Sequence, residues 1–189
     1  MPDQQLTVTV QQALDLAVEH HTSGRLSQAE TIYQQILESD PNQPVALNLL
    51  GFISYQAGKN DLAVDLISKA LDIKPDYAEA YNNLGITFYA LQKPEETVNN
   101  CRKALALKPK YVEAHNNLGN AFLMLGKLEE ALSSYRRALD LKPNFAEAHY
   151  NLGNTLQKMG AFNDAATSYR KTLAIRPDYA EAHSNLSNT

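Results

Sequence analysis

The chain has 189 residues, 44% of them hydrophobic and 20% charged, with a formal net charge of -4, the composition of a soluble, ordered protein. No apolar run approaches the roughly 20 residues needed to cross a bilayer, the first residues (MPDQQLTVTV) lack the basic flank and apolar stretch of a secretory signal, and without a basic run nucleic acid is not an expected partner. A single cysteine, Cys101, excludes an internal disulfide framework and fits a reducing, cytoplasmic setting.

The chain repeats itself. Pro41, Pro75, Pro109, Pro143 and Pro177 are 34 residues apart each time. After an N-terminal tail, 1–9, that period divides the array 10–189 into repeats 10–43, 44–77, 78–111, 112–145 and 146–179 and a partial sixth, 180–189. Each block predicts two antiparallel helices, A and then B. With positions counted from the start of each block, helix A carries Leu16, Leu50, Leu84, Leu118, Leu152 and Leu186 at position 7. Position 8 is glycine in four blocks, Gly51, Gly85, Gly119 and Gly153. Glycine inside a helix costs about 1 kcal/mol against alanine, so its recurrence predicts close helix packing. Gly24, Gly58, Gly126 and Gly160 at position 15 predict the turn into helix B. Ser27, Asp61 and Asn163 are its expected N-caps. In helix B, Ala29, Ala63, Ala131 and Ala165 at position 20 are expected to face the glycines, with Thr97 as the exception. Tyr33, Ile67, Cys101, Tyr135 and Tyr169 supply bulk at position 24. Helix B ends on Lys74, Lys108, Lys142 or Arg176, a cation at the negative end of the helix dipole, followed by the repeating proline. Pro94 opens helix B of the third repeat, where proline is tolerated.

Leu at 7, Gly at 8, Ala at 20, a bulky residue at 24 and Pro at 32, repeated over residues 10–189, resemble the tetratricopeptide repeat. The resemblance implies an all-α fold, a right-handed superhelical α-solenoid of antiparallel helix pairs, used for binding proteins. The later repeats, AEAHYNLGNTLQKMG and AEAHSNLSNT, are also similar to arrays of O-linked N-acetylglucosamine transferases and bacterial relatives. Repeat 1 departs most, with Ala17 in place of glycine and Ile36 at a small-residue position, and is read as a cap.

Little in the sequence suggests catalysis. His115, His149 and His183 recur at position 4, but neighbouring helices lie roughly 8–10 Å apart. Zinc-bound nitrogens sit about 2.0–2.1 Å from one shared ion. The three histidines therefore predict a packing ladder, and no metal or other cofactor is expected. His20 and His21 are adjacent in one helix and point apart. Cys101 takes a core slot. Glu79, Glu113, Glu147 and Glu181 at position 2 place negative charge at helix N-termini. No phosphate loop, HExxH or nucleophile elbow is present, so the chain is read as a non-enzyme.

The resemblance also implies that helix A lines a concave groove. The expected groove residues form two stretches: Phe52, Tyr55, Asn82, Asn83, Ile86 and Tyr89, then Asn116, Asn117, Asn120, Asn151, Asn154 and Asn185. An amide both donates and accepts, so such a row suits an extended peptide backbone. Asn83, Asn117, Asn151 and Asn185 resemble the asparagine ladder of transferase arrays; the competing reading is that they only bridge repeats. Helix A carries one cation, Lys158, whereas Lys69, Arg102, Lys103, Arg136, Arg137, Arg170 and Lys171 lie on helix B. That excludes the clamp for acidic chaperone tails and predicts a neutral or basic peptide ligand. The expected function is a protein–protein interaction scaffold; the alternative is the substrate-targeting region of a larger, glycosyltransferase-like enzyme. The unfinished sixth repeat predicts truncation or a covering partner, with self-association through Tyr179, Ala182 and Leu186.

Overall fold

The computed structural model describes residues 9–189, and the expected tail lies outside the described residues save for Thr9. The chain divides into two compact units, Met1–Thr87 and Phe88–Thr189. The first holds α1 (Val10–Thr22), α2 (Leu26–Ser39), α3 (Pro44–Gln56) and α4 (Asn60–Ile73). The division falls within α5 (Ala78–Ala90). The second unit continues with α6 (Pro94–Leu107), α7 (Val112–Met124), α8 (Leu128–Leu141), α9 (Ala146–Lys158), α10 (Phe162–Ile175) and α11 (Ala180–Ser187). No strand occurs among the described residues. Consecutive helices pack on one another: α1 on α2 and α3 on α4 in the first unit, α7 on α8 and α9 on α10 in the second.

Local chemistry sets the helix ends. Thr9 caps α1 in a capping box with Gln12, and the Gln43 side chain accepts from the Val45 and Ala46 amides at the start of α3. The expected caps Ser27, Asp61 and Asn163 are not caps. Those helices start earlier, and the N-cap residues are Arg25, Lys59 and Ala161, none with a capping side chain. The turn just before supplies the reason. Gly24, Gly58, Gly126 and Gly160 adopt φ between 70° and 79°, and the next amide reaches back five residues, as from Lys127 to the Phe122 carbonyl at 2.9 Å. The chain thus enters helix B with little room for a side-chain cap. Gln92 holds the same place with φ 58°, a conformation costly for a residue with a Cβ. At the far end the cation is the C-cap residue, and it lies over the aromatic ring three residues on. Lys108 sits 4.6 Å from the Tyr111 centroid, and Arg176 4.7 Å from that of Tyr179.

Helix-pair packing rests on the interior glycines, and the bulky position-24 residue, expected only as bulk, is the nearest neighbour of Gly51, Gly119 and Gly153. A Cβ at Gly119 would lie 2.5 Å from Tyr135 Cε1, one at Gly153 2.6 Å from Tyr169 Cε1, and one at Gly51 2.6 Å from Ile67 Cγ1. The glycine thus lies closest to position 24, and at Gly51 the Ala63 carbonyl oxygen stands 3.2 Å from the same Cβ position. Ala63, Ala131 and Ala165 are fully buried beside it. Thr97 fits the alanine slot by turning its hydroxyl onto the Lys93 carbonyl at 2.9 Å. Leu16 breaks the leucine register and is 46% exposed, because Leu14 and Ala17 carry the inner face of α1.

Of the residues expected on an apolar patch at 180–189, one is enclosed and two are half-buried. Ala182 is fully buried, Leu186 packs against the cluster around Tyr169 and Leu156, and Tyr179 stacks on Tyr150 with centroids 4.9 Å apart. Those side chains are engaged within the second unit.

Two substitutions should move thermal stability in opposite directions. Gly119→Leu is expected to cost about 1–3 kcal/mol by overpacking against the Tyr135 ring. Gln92→Gly should gain roughly 1 kcal/mol by relieving a left-handed residue with a Cβ. Melting curves of the two variants check both signs.

Candidate functional site

In the second unit the helix-A asparagines form a wired row. The Tyr135 hydroxyl, reaching across from α8, donates to Asn120 Oδ1 at 2.8 Å. Asn151 of the next repeat donates through Nδ2 to the same oxygen at 3.0 Å and to Asn116 Oδ1 at 3.2 Å. Asn116 passes its own Nδ2 to Glu147 at 3.1 Å. The unit recurs one repeat later. The Tyr169 hydroxyl lies 2.8 Å from Asn154 Oδ1 and 2.9 Å from Gln157 Oε1, which share its one proton, and Asn185 donates to the Asn154 oxygen at 2.8 Å and to the Tyr150 hydroxyl at 3.3 Å. Asn120, Asn117, Asn151, Asn154 and Asn185 are half-buried. Asn116 is only 2% exposed and is thus removed from the surface lining expected for it. Tyr89 is exposed.

In the first unit the helix-A side is aromatic. Phe52 and Tyr55 stack with centroids 5.7 Å apart, and His21 stacks on Phe52 at 5.9 Å. Asn83 donates to Asn48 Oδ1 at 3.1 Å, and Asn48 donates to the Tyr77 hydroxyl at 3.2 Å. Asn82, like Asn116, is buried rather than lining, at 3% exposure. Ile86 is half-buried. Asn48 and His21 were not among the expected groove residues, although Asn48 shares the register of Asn82 and Asn116.

Several candidate groups take structural roles. His115, His149 and His183 each place Nε2 against the carbonyl of the proline six residues earlier, Pro109, Pro143 and Pro177, at 3.0, 2.9 and 2.8 Å. Each ring thereby ties the start of helix A to the preceding turn. Among the described residues no group of three or more His, Cys, Asp or Glu side chains could hold a metal ion. Burial pushes the Cys101 thiol up to about 12, which keeps it a neutral core group. Glu79, Glu113, Glu147 and Glu181 occupy first turns of α5, α7, α9 and α11. Among the described residues no helix is long and apolar enough to cross a membrane.

On the helix-B side of the second unit, a cavity of about 510 Å³ is bounded by Arg136, Leu139, Asp140, His149, Leu152, Ser168, Lys171 and Ile175. His149 is buried there, and its Nδ1 has no hydrogen-bond partner. Burial lowers its pKa below the usual 6.5, the bond to the Pro143 carbonyl opposes this, and nearby Lys171 lowers it further.

The repeated helix pair, with a glycine seated against a bulky helix-B residue, is the mark of one family. The model for the TPR repeat matches residues 53–92, 87–126 and 121–160, and that for the tetratricopeptide repeat matches 146–179. The chain belongs to the tetratricopeptide repeat family. Among solved structures it is similar to pilF of Pseudomonas aeruginosa, at 22% identity over 92% of this chain and 79% of that one, with a TM-score of 0.82. It is similar to a thermophilic TPR protein of Thermus thermophilus at 23% identity over 95% and 98%, TM-score 0.79. It is also similar to YrrB, a TPR protein with an unusual peptide-binding site, at 24% identity over 94% and 91%, TM-score 0.71. These likenesses establish the shared fold. No curated protein matches the chain.

The depressed pKa of His149 gives a pH dependence with a definite sign. The unfolded chain takes up a proton near pH 6.5 while the folded protein resists it, so the native state binds fewer protons just below that pH. The stabilisation is present above pH 6.5 and is lost as the pH falls through the window beneath it. Urea midpoints at pH 7.5 and 5.5 should differ by less in His149→Gln than in the parent protein.

Proposed function

We propose that the chain is a protein–protein interaction scaffold that holds an extended, neutral or basic peptide along its helix-A faces. The observation that carries this reading is the state of the asparagine row. Asn154 accepts through Oδ1 from Asn185 and from the Tyr169 hydroxyl, whose proton Gln157 Oε1 shares. Two donors on one oxygen fix the orientation of the amide, and Nδ2 is then the group left for an outside acceptor. Asn120 accepts in the same way from Tyr135 and Asn151. Peptide carbonyls spaced along an extended backbone are natural acceptors for such donors, and prepositioned donors reduce the ordering cost of binding. The His21, Phe52 and Tyr55 stack of the first unit supplies an aromatic anchor for a ligand side chain. Charge supports a neutral or basic ligand, because the described helix-A segments carry Lys158 against Glu79, Glu113, Glu147 and Glu181. The likeness to YrrB is in keeping with peptide binding.

A second reading makes the array the substrate-targeting part of a glycosyltransferase-like enzyme. The column Asn83, Asn117, Asn151 and Asn185 favours it, and the full reading frame separates it from the first.

The test uses substitutions that keep the internal wiring. Asn120→Asp and Asn154→Asp retain the oxygen that accepts from tyrosine and asparagine but remove the Nδ2 donor. Screened against acetylated neutral peptides, each should weaken binding about five-fold, the usual worth of one neutral hydrogen bond, with little change in melting temperature. Arg136→Glu should leave binding unchanged. Binding that survives both aspartates and collapses with Arg136→Glu would move the interface to the helix-B cavity.

A further inference from the structure

Tyr33, Tyr135 and Tyr169 occupy the same place in three repeats, and all three are fully buried. Two of the hydroxyls donate to an asparagine oxygen, Asn120 or Asn154, each at 2.8 Å. The Tyr33 hydroxyl is shut off from solvent and has no hydrogen-bond partner. The sequence explains the difference. Val18 stands where the other repeats have Asn120 and Asn154, and Leu49 stands where they have Asn151 and Asn185. Buried hydroxyls are rarely left unpaired, because an unpaired one costs more than a made bond returns.

Those two replacements, Val18 and Leu49, line a pocket of about 250 Å³ that Tyr33 also lines. Phe52 adds a third apolar wall, and His21, Thr22 and Asn83 add polar edges. All of these residues belong to the first unit. We infer that this pocket is a subsite for a neutral, carboxamide-tipped side chain of the bound peptide, glutamine above all, which on entering parts the side chains covering the Tyr33 hydroxyl so that its amide oxygen takes that proton in a hydrogen bond. The inference rests on the peptide-scaffold reading and deepens it.

The chemistry of the lining selects this class. Burial pushes the Tyr33 phenol up to about 12, so near neutral pH it is a donor in search of an acceptor. The acceptor that the protein itself supplies to the equivalent tyrosines is an amide oxygen. Among the described residues no lysine or arginine lines the pocket, and burial lowers the pKa of His21, so a carboxylate would enter without a counter-charge from them. The methylenes of glutamine match the walls of Val18, Leu49 and Phe52, whereas leucine fills the space but offers no oxygen.

The experiment compares three acetylated, amidated heptapeptides on an alanine–serine background, with glutamine, glutamate or leucine at the centre. Each is titrated into the full chain while the tyrosine ring signals are followed by NMR. The glutamine peptide should bind about five-fold tighter than the other two and shift the Tyr33 ring. Tyr33→Phe should erase that preference without lowering the melting temperature, whereas Tyr135→Phe should lower it. Equal binding of all three peptides, unaffected by Tyr33→Phe, would overturn the subsite and leave the scaffold standing. Failure of all three to bind would overturn both. A loss of stability in Tyr33→Phe matching that in Tyr135→Phe would show that the hydroxyl is already paired within the protein, and would likewise overturn the subsite.

Discussion

The contact on which the rest of this structure depends is that of a bulky helix-B side chain against a bare helix-A Cα. Tyr135 on Gly119, Tyr169 on Gly153 and Ile67 on Gly51 set how closely the two helices of a repeat can lie. Interiors pack densely, and an added methyl at any of these glycines would have nowhere to go. The fully buried alanines of helix B follow from the same closeness. Where the bulky residue is tyrosine, the contact has a polar consequence. The ring passes the glycine along its Cδ1–Cε1–Cζ edge, and its hydroxyl comes to 2.8 Å from an asparagine oxygen of helix A. Packing thus decides where the amide row begins.

The row then passes from repeat to repeat. Asn151 and Asn185 each bond backward to the preceding repeat, so the asparagines hold neighbouring repeats in register while standing half-buried on one side. Bridging and ligand recognition are compatible uses of the Asn120 and Asn154 amides, whose oxygens serve the fold and whose nitrogens can serve a partner. The first unit shows what happens when the wiring is replaced. Val18 and Leu49 take the asparagine places, the hydroxyl of Tyr33 loses its partner, and an aromatic stack covers the same side.

Much of the fold was legible because it is written in residues with few structural excuses. Five prolines 34 residues apart set the period, and glycine inside a helix and glycine at a left-handed turn, each costly unless geometry demands it, recur four times on it. What sequence could not supply was which atom meets which. The atoms nearest the glycine belong to the bulky residue a helical turn beyond the alanine, Tyr135 or Tyr169 or Ile67. Ser27, Asp61 and Asn163 looked like caps, yet the five-residue backbone bond of the preceding turn had already placed the helix start. The histidine ladder read as packing, but its anchor on the proline carbonyls depends on a backbone turn that no composition reveals. Of the expected groove residues, Asn82 and Asn116 proved buried, because adjacent asparagines point to different sides of a helix and pattern alone does not say which faces inward.

The central claim is that tyrosine packing and the asparagine row form one coupled unit, joined at Asn120. The direct test is a double-mutant cycle of Tyr135→Phe and Asn151→Ala, measured by urea unfolding. Both changes remove a donor from the same oxygen, so the account predicts that their effects are not additive, with a coupling energy of at least about 0.5 kcal/mol. Strict additivity would contradict it, and would mean that the two hydrogen bonds sit side by side without sharing a common support.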